Sequence, residues 1–95
     1  MVTLLTTFHP KDAQSTHEIS GRLAALAKQV PAEPGNLDYN AFAVEGEPHL
    51  LYVVERWRSQ ADAQRHADRV EHDGLVEQVV YLLIDPPHTV TLQQL

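Results

Sequence analysis

The chain contains no cysteine, which removes several kinds of chemistry at once. Disulfide bonds, thiolate nucleophiles and zinc sites with cysteine ligands are all excluded. Glycine is also scarce, with four residues in 95, while hydrophobic residues make up 43% of the chain. This composition is typical of a folded globular protein and not of a disordered one. We expect one domain, over residues 1–95, with a single hydrophobic core.

Long hydrophobic runs and surplus positive charge are absent as well. No apolar run approaches the ~18 residues that span a bilayer, and no basic leader precedes an apolar block, so we expect no membrane partner and a cytoplasmic location. Thirteen acidic residues against seven basic ones give a net charge of −6. Nucleic acids bind to cationic surfaces, so they are not expected partners. We interpret the four arginines between positions 56 and 69 as surface residues paired with nearby acidic side chains, with a rim that steers anions as the alternative.

Residues 50–57 are the stretch around which the rest of the chain is organised. The first five, Leu-Leu-Tyr-Val-Val, are apolar without a break, which predicts a strand. A strand with one wet face would alternate apolar and polar residues, so both faces of this strand are expected to be covered. It ends in Glu55, Arg56 and Trp57, the only tryptophan. A buried strand with such an end suits the floor of a pocket.

Periodicity and capping residues predict the other elements. Asp12 can cap a helix at its start, and Ser59 followed by Asp62 has the pattern of a second helix start. The predicted elements are a strand over 2–8, a helix over 12–29, a strand over 37–44, a four-residue connection over 45–48, the strand over 50–57, a helix from 59 to about 68, a further helical segment over 75–83 after a break near 72–74, and a strand over 88–92.

This order of elements predicts the fold class. With right-handed crossovers, strand-helix-strand-strand-helix-strand folds as a ferredoxin-like α+β arrangement, a four-stranded antiparallel sheet with both helices on one face. The helices cover only that face, yet residues 50–54 are apolar on both sides. The second face would be a larger apolar patch than monomers usually expose. We therefore predict a homodimer whose two sheets pack face to face.

Several motifs in the chain resemble the antibiotic biosynthesis monooxygenase superfamily. The most specific is Glu55-Arg56-Trp57 followed by His66, and the resemblance extends from the first predicted strand to the fourth. It implies a dimeric α+β barrel with a pocket between each protomer's sheet and helices. It also implies oxygenation of electron-rich aromatic substrates, such as hydroquinones and anthrones, without a metal or flavin cofactor. The matching segments are Glu33-Pro34-Gly35, Leu37-x-Tyr39, Tyr52-x-x-Glu55-Arg56-Trp57, Ala63-x-x-His66 and Glu71-His72.

The sequence also departs from parts of this superfamily. Haem-degrading relatives carry Trp where His66 stands and His where Val76 stands, so that branch is disfavoured. Asn36 occupies a position that is often Cys, and Asp73 one that is usually a bulky apolar residue.

His66 is the candidate catalytic base. Helical spacing puts it on the same side as Ala63, Ala67 and Val70, which faces the sheet. Histidine titrates near neutral pH, as a general base for deprotonating a phenol should. The alternative interpretation is a histidine packed at the seam between helix and sheet. A metal site from His66, His72 and Asp73 has no recognised ligand spacing, so no metal is expected.

Four further residues are candidates for substrate binding. Trp57 and Tyr39 could stack on either side of an aromatic ring, or they could pack in the core at the edge of the sheet. His72 could face the mouth of the pocket or cap the next helix. Asn40 could orient a phenol or carbonyl oxygen, but it points to the opposite face of its strand from Tyr39, so we prefer Tyr39. We expect Glu55 to be paired structurally with Arg56, Arg58 or a backbone donor of the other protomer.

The first functional hypothesis is a cofactor-independent monooxygenase that acts on a small quinol-like or polycyclic aromatic molecule. One alternative is a non-catalytic dimeric barrel that binds a small apolar ligand or a partner protein, because few polar groups converge around His66. The other is an isomerase or decarboxylase that uses a histidine base without oxygen. The likeness in fold cannot rank these chemistries.

Overall fold

The computed structural model describes all residues from 1 to 95, and they form four strands and two helices in the predicted order. The strands form one antiparallel sheet in the order β2-β3-β1-β4, and the ferredoxin-like α+β fold is confirmed. Neither helix is long and apolar enough to cross a membrane. The elements are β1 (Val2–Phe8), α1 (Ala13–Gln29), β2 (Asn36–Val44), β3 (Glu47–Trp57), α2 (Gln60–His72) and β4 (His88–Leu92).

Both helices start at the predicted caps. The carboxylate of Asp12 accepts a hydrogen bond from the backbone N–H of Ser15 at 2.8 Å. At the start of α2, Ser59 Oγ accepts from the Asp62 N–H at 3.2 Å and donates to Asp62 Oδ2 at 2.9 Å. Each cap satisfies a donor that the first turn of a helix leaves free. The hydrogen bond from Arg65, followed by that from Ser59, holds the pKa of Asp62 below its usual range.

The second helix runs four residues beyond the predicted end and stops at the predicted break. Gly74 has a φ of +67°, which ends the helix in the left-handed conformation that glycine adopts without strain. The Leu75 N–H reaches back to the Val70 carbonyl at 3.2 Å, and the Gly74 N–H to the Glu71 carbonyl at 3.1 Å. These two bonds define a Schellman motif.

The helix predicted over residues 75–83 is absent, so that prediction is wrong. The segment consists of consecutive turns and a single 3₁₀ turn at Val80–Leu82. Its apolar residues divide into two groups, since Val79, Leu82 and Leu83 join the core while Val80 stays 41% exposed. Apolar spacing alone did not reveal that the chain turns back over the core here instead of continuing α2.

The connection between β2 and β3 is also shorter than predicted. The third strand begins at Glu47, which leaves Glu45 and Gly46 as the turn instead of four residues. Gly46 has a φ of +81°, and tight two-residue hairpin turns often need such a backbone. The predicted antiparallel hairpin is confirmed.

The two faces of β3 have different surroundings in the single chain. Leu51, Val53, Glu55 and Trp57 face the helices and are buried. The alternating side chains of Leu50, Tyr52, Val54 and Arg56 are half-buried on the other face, which we call the open face. The strand is therefore covered by this chain's own helices on one side only.

Candidate active site

A cavity of about 250 Å³ lies between the sheet and the helices. Most of its wall is apolar, with contributions from Leu4 on β1, Leu26 on α1 and Val70 on α2. Five polar side chains line the same cavity: the hydroxyl groups of Thr6 and Thr89, and the larger groups of Tyr39, Glu55 and His66. A small apolar chamber with a few polar groups is the usual form of a small-molecule site.

His66 is held in this wall by α2 and by a carboxyl group from another part of the chain. The helix places Ala63, His66, Ala67 and Val70 along the cavity, as the spacing predicted. His66 is 7% exposed, and its Nδ1 lies 2.9 Å from Oε1 of Glu33. A carboxyl partner at Nδ1 favours the tautomer with its proton on that nitrogen, which makes Nε2 the proton-accepting atom.

The other ring nitrogen of His66 is available to a ligand. Nε2 makes no hydrogen bond with the protein, since the only hydrogen bond of the ring is that of Nδ1 with Glu33. Among the buried side-chain nitrogen and oxygen atoms, only Asn36 Oδ1 lacks both solvent exposure and a hydrogen-bond partner. Because Nε2 has no partner either, it must be partly exposed to solvent. The arrangement of a base with one nitrogen oriented and the other free is suited to accept a proton from a bound molecule.

Trp57 lies behind His66 and does not line the cavity. The indole is fully buried, at 0% exposure, and its ring centroid is 4.9 Å from that of His66 at an interplanar angle of 30°. A side chain without exposed surface cannot stack on a substrate, so the sandwich of a ring between Trp57 and Tyr39 does not fit this structure. Trp57 instead supports the imidazole from the side of the core.

Tyr39 does line the cavity, where it meets the edge of the imidazole. Its ring centroid is 5.9 Å from that of His66, at 67°. Burial raises the pKa of Tyr39 well above its ordinary value, and the charges of Glu55 and then Glu33 act in the same direction. The phenol therefore keeps its proton and can donate it in a hydrogen bond to a ligand oxygen.

Glu55 has a different partner from the three that were predicted. Its Oε1 accepts a hydrogen bond from Trp57 Nε1 at 2.9 Å. Arg56 points to the open face, where its Nε donates to Asp38 Oδ2 at 2.6 Å. Alternation along a strand puts neighbours on opposite faces, which is why Arg56 cannot reach Glu55. Burial raises the pKa of Glu55, and the hydrogen bond from Trp57 opposes that rise only in part.

Asn40 and His72 lie outside the cavity. Asn40 pairs with Val54 on the open face and is exposed, and His72 is exposed at the last position of α2. The preference for Tyr39 over Asn40 agrees with this arrangement, while a direct role for either outlying residue does not. His66, His72 and Asp73 form no cluster that could hold a metal ion.

Glu33 is the site residue that sequence reasoning missed, because Glu33-Pro34-Gly35 was noted as a turn and as a segment that resembles the superfamily, without a role for its carboxyl group. The turn packs against the start of α2. Gly35 has a φ of +80°, its carbonyl accepts from the Arg58 N–H at 2.8 Å, and a β-carbon there would overlap the Asp62 side chain. This close approach brings the carboxyl group of Glu33 to His66. The signal in the sequence was the glycine turn itself, whose partner could not be read from the chain.

A second cavity of about 310 Å³ adjoins the first on the Glu33 side. It shares His66, Leu26 and Val70 with the first cavity, and its wall also includes the polar side chains of Glu33 and Arg69. His66 and Glu33 thus stand between an apolar chamber and a more polar one. Such a position suits the removal of a proton from the chamber toward water.

Fold and site together define a ferredoxin-like α+β protein with a largely apolar cavity between sheet and helices, in whose wall a histidine is paired with a carboxyl group. The chain matches the antibiotic biosynthesis monooxygenase family over residues 1–78 and belongs to that family. It is also similar to YcnE of Bacillus subtilis, which is named as a monooxygenase. The two chains are 26% identical over 73 residues, which are 77% of each chain.

Solved structures agree with this fold over nearly the whole chain. PA3566 of Pseudomonas aeruginosa is 26% identical with a TM-score of 0.82, covering 99% of this chain and 93% of its own. Rv0793 of Mycobacterium tuberculosis is 23% identical with a TM-score of 0.85, covering 99% and 94%. A Streptomyces coelicolor monooxygenase from the gene ActVA-Orf6, in complex with nanaomycin D, is 16% identical with a TM-score of 0.80, covering 99% and 87%.

Proposed function

We propose that this protein is a cofactor-independent monooxygenase of small quinol-like or polycyclic aromatic molecules, with His66 as its catalytic base. The observation that carries the proposal is the position of His66 in the wall of an apolar cavity, with Nδ1 on Glu33 and Nε2 free. The family and the nanaomycin D complex of the Streptomyces relative support an aromatic ligand in this cavity.

The proposed reaction begins with removal of a proton from the bound phenol or from an acidic ring carbon. Nε2 of His66 accepts that proton and leaves an electron-rich anion. The anion gives up electrons to dioxygen in one-electron steps, and a carbon–oxygen bond forms. One oxygen atom stays on the ring as a carbonyl, while the other leaves as water with the two hydrogens that the substrate loses.

The cavity supplies the remaining requirements of this chemistry. Its apolar wall keeps water away from the anion, and electrostatic interactions with the few polar groups are stronger in such surroundings. Tyr39, with its proton retained, donates a hydrogen bond to a ligand oxygen. Glu33 orients the base and has access to the second cavity, through which the proton leaves.

We also propose that the protein acts as a homodimer joined through the open face of the sheet. Apolar side chains cover much of this face, and those at its outer strands, Phe42, Val90 and Leu92, are 51%, 38% and 43% exposed. Hydrophobic burial is the main favourable term in most protein association, and a second copy offers a matching surface.

The test of the activity is oxygen uptake with a panel of hydroquinones and anthrones. Uptake is expected with the wild-type protein, unchanged by a chelator, and reduced at least about 100-fold in His66→Ala, since a general base contributes about that much. His17→Ala is the matched control, because His17 is exposed on α1 and makes no contact with the cavity.

The other outcomes separate the alternatives. A ligand that binds in the cavity but is never turned over indicates a binding protein. Turnover that continues under anaerobic conditions indicates an isomerase or decarboxylase. Oxygen uptake that survives His66→Ala contradicts the role of His66 as the base.

A further inference from the structure

Glu55 is a buried carboxyl group that has no cationic partner. It is 7% exposed, lies on β3 in the wall of the cavity, and forms none of the ion pairs of the protein. Burying an ionised carboxylate without compensation is costly, so such a group in a cavity is commonly neutral or functional.

One of its two oxygens is committed to the protein and the other is free. Oε1 accepts from Trp57 Nε1 at 2.9 Å, and no protein group hydrogen-bonds to Oε2. Oε2 is partly exposed to solvent as well, since Asn36 Oδ1 is the only buried side-chain nitrogen or oxygen atom that lacks both exposure and a hydrogen-bond partner. A ligand in the cavity can therefore reach Oε2.

The surroundings of Glu55, taken together, favour its neutral form. Tyr39 faces it from β2, His66 from α2 and Glu33 from the turn before β2, and Leu4 is its neighbour on β1. Burial is the largest influence on the pKa of Glu55 and raises it, and the charge of Glu33 acts in the same direction. The hydrogen bond from Trp57 and the charge of His66 oppose the rise and do not cancel it.

We propose that Glu55 is the proton donor of the site. Its protonated carboxyl group donates a hydrogen bond to a ligand oxygen, and in the oxygenation proposed above, on which the catalytic part of this inference rests, it protonates the oxygen that leaves as water. The two carboxyl groups then have separate tasks: Glu33 orients the base, and Glu55 is the acid. Neighbouring titratable groups in different surroundings commonly divide acid and base work in this way.

The sequence of proton transfers balances. His66 takes the first proton of the substrate, dioxygen adds to the anion, and Glu55 donates its proton to the outer oxygen of the resulting peroxide. The Glu55 carboxylate then takes the second proton from the carbon that carries the peroxide. The electron pair of that C–H bond forms the carbonyl, the O–O bond breaks, and the departing hydroxide takes the proton from His66 to form water. Both side chains return to their starting states.

The first test needs no activity. At about pH 6 to 7, where exposed carboxylates are ionised, the infrared spectrum of the wild-type protein is expected to contain the carbonyl stretch of a protonated carboxylic acid. The band should be missing in Glu55→Gln and present in Glu45→Gln, which changes an exposed residue of the β2–β3 turn. A wild-type spectrum without the band, or a band that persists in Glu55→Gln, overturns the inference.

The second test measures turnover and its products. Glu55→Gln keeps an oxygen that can accept from Trp57 and an N–H that can donate to the ligand, but it has no acidic proton. Its kcat for oxygen uptake is expected to fall at least about 100-fold with KM changed little, and peroxide should accumulate. Unchanged kcat overturns the catalytic part. If the wild-type protein takes up no oxygen, the proposed function fails, while the infrared test still decides whether Glu55 is a proton donor.

Discussion

The Nδ1 atom of His66 and the Oε1 atom of Glu33 lie 2.9 Å apart, although 33 positions separate the two residues in the chain. The contact joins α2 to the turn that precedes β2, and it leaves Nε2 as the ring nitrogen without a partner in the protein. A carboxyl group in this position orients an imidazole and stabilises the imidazolium that forms when the base takes a proton. Glu33 itself does not line the apolar cavity, so it acts through His66.

The first prediction concerns Glu33→Gln. The variant keeps an oxygen at Nδ1 and loses the charge that stabilises the imidazolium, so kcat is expected to fall about ten-fold or more. KM should change little because Glu33 does not touch the ligand. Steady-state oxygen uptake measures both constants.

Glu33→Ala removes the partner altogether and is expected to lower kcat further. Nitrogen-15 NMR of the His66 ring should then report a mixture of tautomers in place of one. Glu45→Gln is the matched control and should leave both constants unchanged. A Glu33→Ala variant with a single tautomer and wild-type kcat would show that Glu33 is only a structural neighbour.

The second prediction concerns the glycine turn that brings Glu33 to the site. Gly35→Ala is expected to lower the free energy of unfolding by more than the ~1–2 kcal/mol of a left-handed backbone alone, since its β-carbon overlaps Asp62. It should also lower kcat, because the turn must move and Glu33 moves with it. Urea unfolding and oxygen uptake measure the two effects.

Gly46→Ala is the control for this change. Gly46 has nearly the same φ, +81° against +80°, and nothing lies within 4 Å of the position of its β-carbon. In this variant the free energy of unfolding is expected to fall only by the cost of the left-handed backbone, and the activity is expected to be unchanged. Equal losses of stability in the two variants would contradict the importance of the contact with Asp62.

Capping residues and the spacing of apolar residues were sufficient to predict much of the fold and part of the site. Asp12 and Ser59 cap helices through bonds to residues three positions away, and helical spacing alone puts His66 toward the sheet. The pairing of Glu33 with His66 and of Glu55 with Trp57 depends on packing between or within elements, which periodicity does not specify.

Two candidate residues lie away from the cavity for the same reason. Trp57 was a candidate for stacking on a substrate or for packing in the core, and the core covers it completely. His72 was a candidate for the mouth of the pocket because the helix breaks there, and the last turn of α2 places it outside the cavity. A strand end or a helix break marks where a site can form, but which side chains enter it is determined by tertiary packing.

The third prediction is the pH dependence of stability that Glu55 causes. The pKa of Glu55 is raised in the folded protein, so the folded state holds this proton more tightly than the unfolded state. Its contribution to stability is therefore fully present below the ordinary pKa of a glutamate and is lost as pH rises through the higher folded value. Glu55→Gln, which cannot ionise, should gain stability relative to the wild type as pH rises above the ordinary pKa of a glutamate. Urea unfolding at several pH values measures this difference.

The direction of the effect distinguishes it from the contributions of the two carboxyl groups that cap the helices. The pKa values of Asp12 and Asp62 are lowered in the folded protein, Asp12 by its bonds to Ser15 and Asp62 by Arg65 and Ser59, so their contributions are lost as pH falls below about 4. A constant difference between wild type and Glu55→Gln across the range would mean that Glu55 titrates normally.

The fourth prediction tests the homodimer. Val54 lies near the middle of the open face, between Asn40 on β2 and Leu5 on β1. Val54→Lys places a charge where the second sheet would pack, and burying that charge without a partner would oppose association through this face. By analytical ultracentrifugation at micromolar concentration, the wild-type protein should have twice the mass of the 10.7 kDa chain, and the Val54→Lys variant should have the mass of one chain.

Ile84→Lys is the control, because it adds the same charge to a side chain that is 72% exposed outside the sheet, and it should leave the dimer intact. A wild-type protein that sediments as a single chain would contradict the dimer, and loss of the dimer in both variants would indicate that the interface is not confined to the sheet.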